Sequence, residues 1–326
     1  MKPTPVQTTR AGQLYVGKSE DLLKEPLAEA LRGKIQLIFT SPPFPLNEKK
    51  QYGNLQGEAY VYWLTSFAPL LADLLTPTGS IVIELGNAWE PGRPVQSLLP
   101  MRSLLGFVQH EDANLRLCQE FICHNPARLP SPAEWVTVKR TRVIDSYTHL
   151  WWMAQTDNPK ANNRNVLRPY SKSTHQMQQR GTFNSGSRPS GHVISEQSFL
   201  KNNGGSIMPN VLEIESIDAS KDARFPTNAF AIAHTNSNDF YLRECKRRQI
   251  APHPARMPIH LIDFFIQFLT DPGDLVLDPF AGSNATGFCA ESTARNWVSI
   301  EANPDYVIHS EIRFSQRTEP LVQNIS

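Results

Sequence analysis

A short apolar run, Ile35-Gln36-Leu37-Ile38-Phe39-Thr40, ends in Ser41-Pro42-Pro43-Phe44, and these four residues carry the clearest chemistry in the 326-residue sequence. Two consecutive prolines fix φ and remove two backbone donors, leaving the Ser41 hydroxyl and the Pro42 carbonyl as acceptors. An exocyclic NH2 group can donate to both. Phe44 adds a ring face for stacking, a contact worth roughly 1 to 3 kcal/mol per base in single-strand sites. Ser41, Pro42, Pro43 and Phe44 therefore suit an extruded nucleobase whose amino group is to be held. A second strand-like run, Ser80-Ile81-Val82-Ile83-Glu84-Leu85, brings an acid, Glu84, to a strand end, where it can stabilise developing charge or relay a proton.

A different constellation lies near the other end of the sequence. Leu275-Val276-Leu277 runs into Asp278-Pro279-Phe280-Ala281-Gly282-Ser283-Asn284-Ala285-Thr286-Gly287 and then a helix-like segment through Glu291. Strand, small-residue loop and helix in that order let backbone approach a ligand closely, with free N–H groups at the helix start. The next short strand, Trp297-Val298-Ser299-Ile300, ends in Glu301. In nucleoside-binding α/β folds an acid at that place accepts bonds from ribose hydroxyls.

These groups need a scaffold, and the pattern between them indicates one. Strand at 35–40, helix over 60–75 and strand at 80–85 alternate as in a parallel α/β sheet. Within the helix, Phe67, Leu70, Leu71, Leu74 and Leu75 form a core stripe that Pro77 and Gly79 close. Further strands are expected at 118–123 and 148–154, the latter packing Trp151 and Trp152 in the core. Between about 159 and 252 the periodicity fades into Asn, Gln, Ser, Gly and Arg, with Tyr170, Phe183, Phe199 and Tyr241 interspersed. Helical spacing returns with Ile259, Ile262, Phe265, Ile266 and Leu269.

Charge follows the same division. Residues 139–256 hold 17 Lys and Arg against 9 Asp and Glu, although the whole chain has a formal charge of only +1. A cationic segment on a neutral to acidic body points to a polyanion such as nucleic acid. A composition of 40% hydrophobic and 19% charged residues can bury a sizeable core. Cys118, Cys123, Cys245 and Cys289 show no metal-ligand spacing, so core thiols and no metal are expected. No run of about 18 apolar residues occurs and the first residues lack an apolar stretch, so the expectation is an intracellular protein without a membrane span.

The amino-group motif comes first, a basic segment follows, and the nucleoside-type loop comes last. This order resembles the permuted, beta-group DNA amino-methyltransferases that use S-adenosylmethionine, and most nearly their PvuII-type cytosine-N4 members. The resemblance rests on Thr40 to Phe44, Leu129-Pro130-Ser131-Pro132-Ala133-Glu134-Trp135-Val136, Trp151-Trp152, Arg188-Pro189-Ser190-Gly191-His192, Asn203-Gly204-Gly205-Ser206-Ile207, His253-Pro254-Ala255-Arg256-Met257-Pro258 and the Gly282 loop. It implies a Rossmann-like, mostly parallel α/β sheet in permuted motif order with an inserted target-recognition region. The implied division is a catalytic half at 1–158, a target-recognition region at 159–252 and a cofactor half at 253–326. It assigns Ser41, Pro42 and Phe44 to the target base, Asp278, Phe280, Gly282, Ser283 and Asn284 to the cofactor loop, Glu301 to the ribose, and Pro258 to the methionine end. Double-stranded DNA becomes the expected partner, with the enzyme acting as a cytoplasmic, nucleoid-associated monomer beside a separate restriction endonuclease. Adenine-N6 transfer on the same scaffold, or a catalytically silent DNA-binding relative, are the alternatives.

Some positions depart from the family pattern. Asn284 stands where Gly is common, and Asn tolerates left-handed backbone better than most residues. Glu84 replaces an Asp, Gly17-Lys18-Ser19 replaces a Gly-Asp pair, and the stretch 215–234 is longer than its counterpart.

Overall fold

The computed structural model describes residues 3–24, 27–44, 55–195, 199–213 and 240–315. The long stretch at 215–234 lies outside them. The described strands are β1 (Gln7–Thr8), β2 (Gly12–Val16), β3 (Ile35–Thr40), β4 (Leu75–Gly86), β5 (Arg116–His124), β6 (Tyr147–Ala154), β7 (Gly186–Ser187), β8 (Val193–Ile194), β9 (Val211–Glu213), β10 (Leu275–Asp278) and β11 (Asn296–Glu301). Nine of them form one sheet in the order β1-β2-β11-β10-β3-β4-β6-β5-β9. The five neighbours from β2 to β4 are mutually parallel, whereas β6 runs antiparallel to β4 and β5.

Central strands covered on both faces must be apolar throughout, and all six residues of β3 are buried. A register shift between Ile35 and Leu37 sends Ile35 and Ile38 to one face and Leu37 and Phe39 to the other. Along β4 the period is two: Ile81, Ile83 and Leu85 join the first core, Val82 the second. Helices Gly57–Thr65, Phe67–Ala72 and Leu99–Val108 cover the first face, and Ile259–Leu269 and Ala285–Ser292 the second. Trp151 and Trp152 are buried on opposite faces, as expected of packing residues.

One expectation changes, and the aperiodic region gains structure. The helix anticipated over 60–75 is two, Gly57–Thr65 and Phe67–Ala72, and Leu75 already belongs to β4. Pro69 has no N–H to continue the ladder toward Thr65, and the Ser66 hydroxyl bonds back to the Trp63 carbonyl at 2.7 Å. The aperiodic region, in turn, is not apart from the sheet. Its β9 pairs with β5, setting Val211, Leu212 and Glu213 beside Ile122, Cys123 and His124. A helix at Lys172–Arg180 and the β7–β8 hairpin, turned by Arg188-Pro189-Ser190-Gly191-His192, also lie within it. Phe183 and Phe199 pack edge to face at 5.2 Å.

Helix Ile259–Leu269 buries one carboxylate, Asp263, which accepts from Gln267 Nε2 at 2.6 Å. Burial pushes its pKa up to about 6, against the lowering effects of Gln267 and Arg295. The unfolded chain ionises first, so stability falls as pH rises toward 6 and the full cost is present above it. Asp263→Asn should therefore raise unfolding free energy at pH 7.5 by up to about 3 kcal/mol, with no gain near pH 4. Denaturant titrations at the two pH values check this, and equal gains at both would contradict it.

Candidate active site at the carboxyl ends of the central strands

Residues after β3 go to β4 while those after β10 go to β11, on the opposite side. This reversal opens a crevice at the carboxyl ends of β3 and β10, where open α/β sheets hold ligands. Asp278, the last residue of β10, ties the two strand ends together. Thr40 Oγ1 donates to its Oδ1 at 2.7 Å, Thr286 Oγ1 to its Oδ2 at 2.7 Å, and the Phe280 N–H to Oδ1 at 3.0 Å. Burial raises its pKa while these three donors pull it back. Asp278 therefore fixes the spacing between Ser41 and the Gly282 loop, with its acceptors taken up by the protein.

Gly282 adopts φ +52°, and a Cβ there would lie 2.9 Å from the His253 ring. Only glycine combines that backbone with that approach. Glu301, ending β11, accepts the Gly282 N–H at 2.7 Å and the Asn303 N–H at 2.8 Å. With the Ala302 N–H as well, three N–H bonds still leave its carboxylate further acceptor capacity. Asn284 is left-handed at φ 55°, as its residue type allowed, and it caps helix Ala285–Ser292 through the Gly287 N–H. Its side chain is fully buried, accepting from Ser299 Oγ at 2.7 Å and donating to Ser310 Oγ at 2.8 Å. Ser283 is buried beneath Arg313, whose Nη2 donates to the Ser283 hydroxyl at 2.9 Å. Ser283 and Asn284 thus shape the loop from below. Phe280 rests its ring on Trp63 and Phe67, with centroids 5.5 and 5.2 Å away. Pro258 is buried as the cap of Ile259–Leu269, and its carbonyl accepts the Leu261 and Ile262 N–H groups.

The N-terminal departure is accommodated. The Ser19 hydroxyl donates to the Pro279 carbonyl and the Gly17 N–H to the Glu301 carbonyl, so this segment braces the same loop. His253, which was not among the expected site residues, has its N–H bonded to the Tyr241 hydroxyl at 3.0 Å and its ring against Gly282. Burial pushes its pKa down to about 4, so the ring is neutral at physiological pH.

On the other side of the crevice Pro42 is buried and Ser41, Pro43 and Phe44 are half-buried. Glu84 is buried, accepting the Thr148 hydroxyl at 2.9 Å and the Ser41 hydroxyl. Burial raises its pKa, opposed by those two bonds and the charge of Arg128. Ser41 is thus a donor toward Glu84, which aims its lone pairs elsewhere. Two residues along β4, Gly86 lies on the same face as Glu84, and a Cβ there would sit 2.6 Å from Phe44. The Phe44 ring lies against β4 because that position has no side chain. Beyond it Asn87 donates to Asp145 at 2.8 Å and accepts from Gln96 at 2.9 Å, fastening the rim.

Thr148, Gly86 and Arg313 were missed because each acts across strands or helices, whereas His253 stood in the motif that runs to Pro258 and was left out of the site. The pairing of Gly86 with Thr148 across β4 and β6 was the structural fact required. Gly86→Ala should displace Phe44 from β4. If that ring stacks on a target base, as the resemblance implies, kcat/KM for a DNA duplex falls about tenfold or more, the loss of one stacking contact; steady-state kinetics check it, and an unchanged kcat/KM would contradict that role.

Comparison with known proteins accords with this geometry. The chain is 40% identical over 312 residues to the type II methyltransferase M.PvuII of Proteus hauseri, an alignment covering 95% of this chain and 85% of that protein. The solved PvuII DNA methyltransferase (cytosine-N4-specific) superposes with a TM-score of 0.71 at 35% identity, over 99% of this chain and 91% of that one. TTHA0409 from Thermus thermophilus, solved with S-adenosyl-L-methionine, shares the fold at 16% identity with a TM-score of 0.52, over 93% and 94% of the two chains. A stretch of 55 residues, 17% of this chain and 19% of the other, is 44% identical to the DNA adenine methyltransferase YhdJ of Escherichia coli K12. The N6/N4 DNA methylase profile matches residues 35–311, which span both the Ser41 motif and the Gly282 loop. With that match joining the two halves of one crevice, the chain belongs to the N6/N4 DNA methylase family.

Proposed function

We propose that the protein is a DNA methyltransferase that transfers a methyl group from S-adenosylmethionine to N4 of a cytosine extruded from duplex DNA. The observation that carries this reading is the Ser41–Glu84–Thr148 hydrogen-bond chain, set beside the Gly282 loop by the Asp278 ties. The loop suits the cofactor: backbone at Gly282 is open to close approach, and Glu301 retains acceptor capacity for ribose hydroxyls. When bound, S-adenosylmethionine supplies an electrophilic methyl on a sulfonium. Phe280, Gly282, Ser283 and Asn284 form the cradle, and Pro258 borders the methionine end.

Cytosine N4 is a weak nucleophile because its lone pair is delocalised into the ring. The Pro42 carbonyl and Ser41 oxygen accept its two N–H bonds and align what remains of the lone pair. Phe44 stacks on the ring, offsetting part of the few kcal/mol that extrusion costs. As the N–C bond forms and the S–CH3 bond breaks, with its electron pair left on the now neutral sulfur, N4 becomes positive and its proton more acidic. Ser41 takes that proton while passing its own to Glu84, which the Thr148 hydroxyl holds in place. Glu84 thus acts as the terminal acceptor, and its negative charge favours the transition state over the ground state.

Serine before the double proline and near full-length likeness to a cytosine-N4 enzyme support cytosine over adenine. Protection of host DNA beside a cognate endonuclease belongs to the same proposal, suggested by likeness to a type II methyltransferase, and so does action as a cytoplasmic monomer. Among the described residues no helix is long and apolar enough to cross a membrane. Transfer of a tritiated methyl group from S-adenosylmethionine to duplex DNA tests the activity. Absence of label on every duplex tried, with cofactor binding intact, would mark a silent relative instead.

A further inference from the structure

Ser41, Pro42 and Glu84 present acceptors, and acceptors grip the amino group of adenine as readily as that of cytosine. What separates the two bases is the other end of that same edge. Cytosine carries a carbonyl, O2, beside its ring nitrogen N3, where adenine has a C–H beside N1. Choice of cytosine therefore calls for a donor next to the acceptors that hold the amino group, because a donor facing C–H is left unpaired.

The β5–β6 end holds one. Arg128 lies in the turn after β5, its N–H bonded to the Asn125 carbonyl at 3.2 Å. Its Nη1 donates to the Tyr147 carbonyl at 3.1 Å, using one of the five N–H donors of the guanidinium. The next residue is Thr148, whose hydroxyl reaches Glu84 at 2.9 Å. Register places His124 opposite Tyr147 and Cys123 opposite Thr148, so β5 ends one residue past the level of Thr148, whose hydroxyl meets Glu84, and Arg128 follows in the turn. Its charge acts on both Glu84 and Cys123. Two nearby cations are engaged elsewhere: Lys139 pairs with Glu134 at 2.8 Å over the Trp135 ring, and Arg142 bonds the Pro94 and Thr141 carbonyls. Arg128 is half-buried and anchored, which suits a reader of shape more than a mobile phosphate contact.

Resting on the cytosine reading above, we infer that Arg128 is a specificity-determining residue that donates to the O2–N3 edge of the extruded cytosine. Its planar fork can span O2 and N3 together. Adenine in the same pose would satisfy one donor and strand the other.

The test uses duplexes carrying either cytosine or adenine at the target position, each opposite an abasic site so that extrusion is equally easy. In wild type, cytosine is preferred. In Arg128→Met the cytosine-to-adenine ratio of kcat/KM should fall about 10- to 100-fold, the range for losing one good bidentate contact; the effect of the lost charge on Glu84 is common to both bases and cancels in the ratio. Parallel loss on both bases would assign Arg128 to the DNA backbone or to Glu84 and overturn the inference, as would an unchanged ratio. A second measurement needs no variant. With sinefungin as an unreactive cofactor analogue, wild type should bind a duplex bearing a 2-aminopyridine C-nucleoside, which keeps the amino group and ring nitrogen but lacks O2, about tenfold more weakly than the cytosine duplex. Equal affinity would also overturn the inference. Wild type that methylates adenine and not cytosine refutes the proposed function instead, a result distinct from either failure.

Discussion

Glu84→Gln should lower kcat about 100- to 1,000-fold, the contribution expected of a positioned proton acceptor, while affinities for S-adenosylmethionine and duplex stay within about twofold. Gln keeps the shape and can still accept the Thr148 hydroxyl, but it cannot receive a proton or carry negative charge. The wild-type rate should rise with pH through the elevated Glu84 pKa and then level off, because the acceptor works only when ionised. The variant should lose that limb. Stability separates catalysis from folding, since a carboxylate whose folded pKa is raised costs stability progressively as pH climbs from its unfolded value through the folded one. Gln relieves this cost, so the variant should be no less stable than wild type at neutral pH. A variant with unchanged kcat, or one that loses kcat only through unfolding, contradicts the role given to Glu84.

Gly282→Ala should weaken S-adenosylmethionine binding by at least about 100-fold, for two reasons that add. The backbone sits at φ +52°, where an L residue is strained by roughly 1 to 3 kcal/mol. The new Cβ also meets the buried His253 ring, whose Nδ1 bonds the Ala255 carbonyl while the His253 backbone N–H bonds the Tyr241 hydroxyl. The loop must shift, and with it the N–H that Glu301 accepts. Isothermal titration of the cofactor gives the answer, with duplex binding as the control because the Ser41 side of the crevice is untouched. Cofactor affinity within threefold of wild type would show that the Gly282 backbone is not the cradle.

How much of this was legible in the sequence depends on the range of each interaction. Strands β3, β10 and β11 could be read directly, because a run of buried residues bounded by Ser-Pro-Pro or by Asp-Pro is a local signal. The order of the motifs then placed Ser41 and Gly282 in one crevice. Less legible were the roles of the loop residues. Asp278, Ser283 and Asn284 were assigned to the cofactor loop, but how their side chains brace it, through Thr40 and Thr286, through Arg313, and through Ser299 and Ser310, could not be read locally. A motif preserves residues that hold a loop as strictly as those that touch its ligand. Thr148 and Gly86 were hidden for another reason. Both depend on β6 folding back antiparallel onto β4 after more than sixty residues, and no local spacing announces that pairing. The split at Ser66 was in principle readable, since Pro69 falls where a continuous helix needs an N–H.

The central claim is that the crevice carries a methyl group to the amino nitrogen of cytosine. Its most direct test is mass spectrometry of nucleosides from duplex DNA incubated with the protein and S-adenosylmethionine. The prediction is N4-methyldeoxycytidine, lost in Glu84→Gln; N6-methyldeoxyadenosine without N4-methyldeoxycytidine would contradict it.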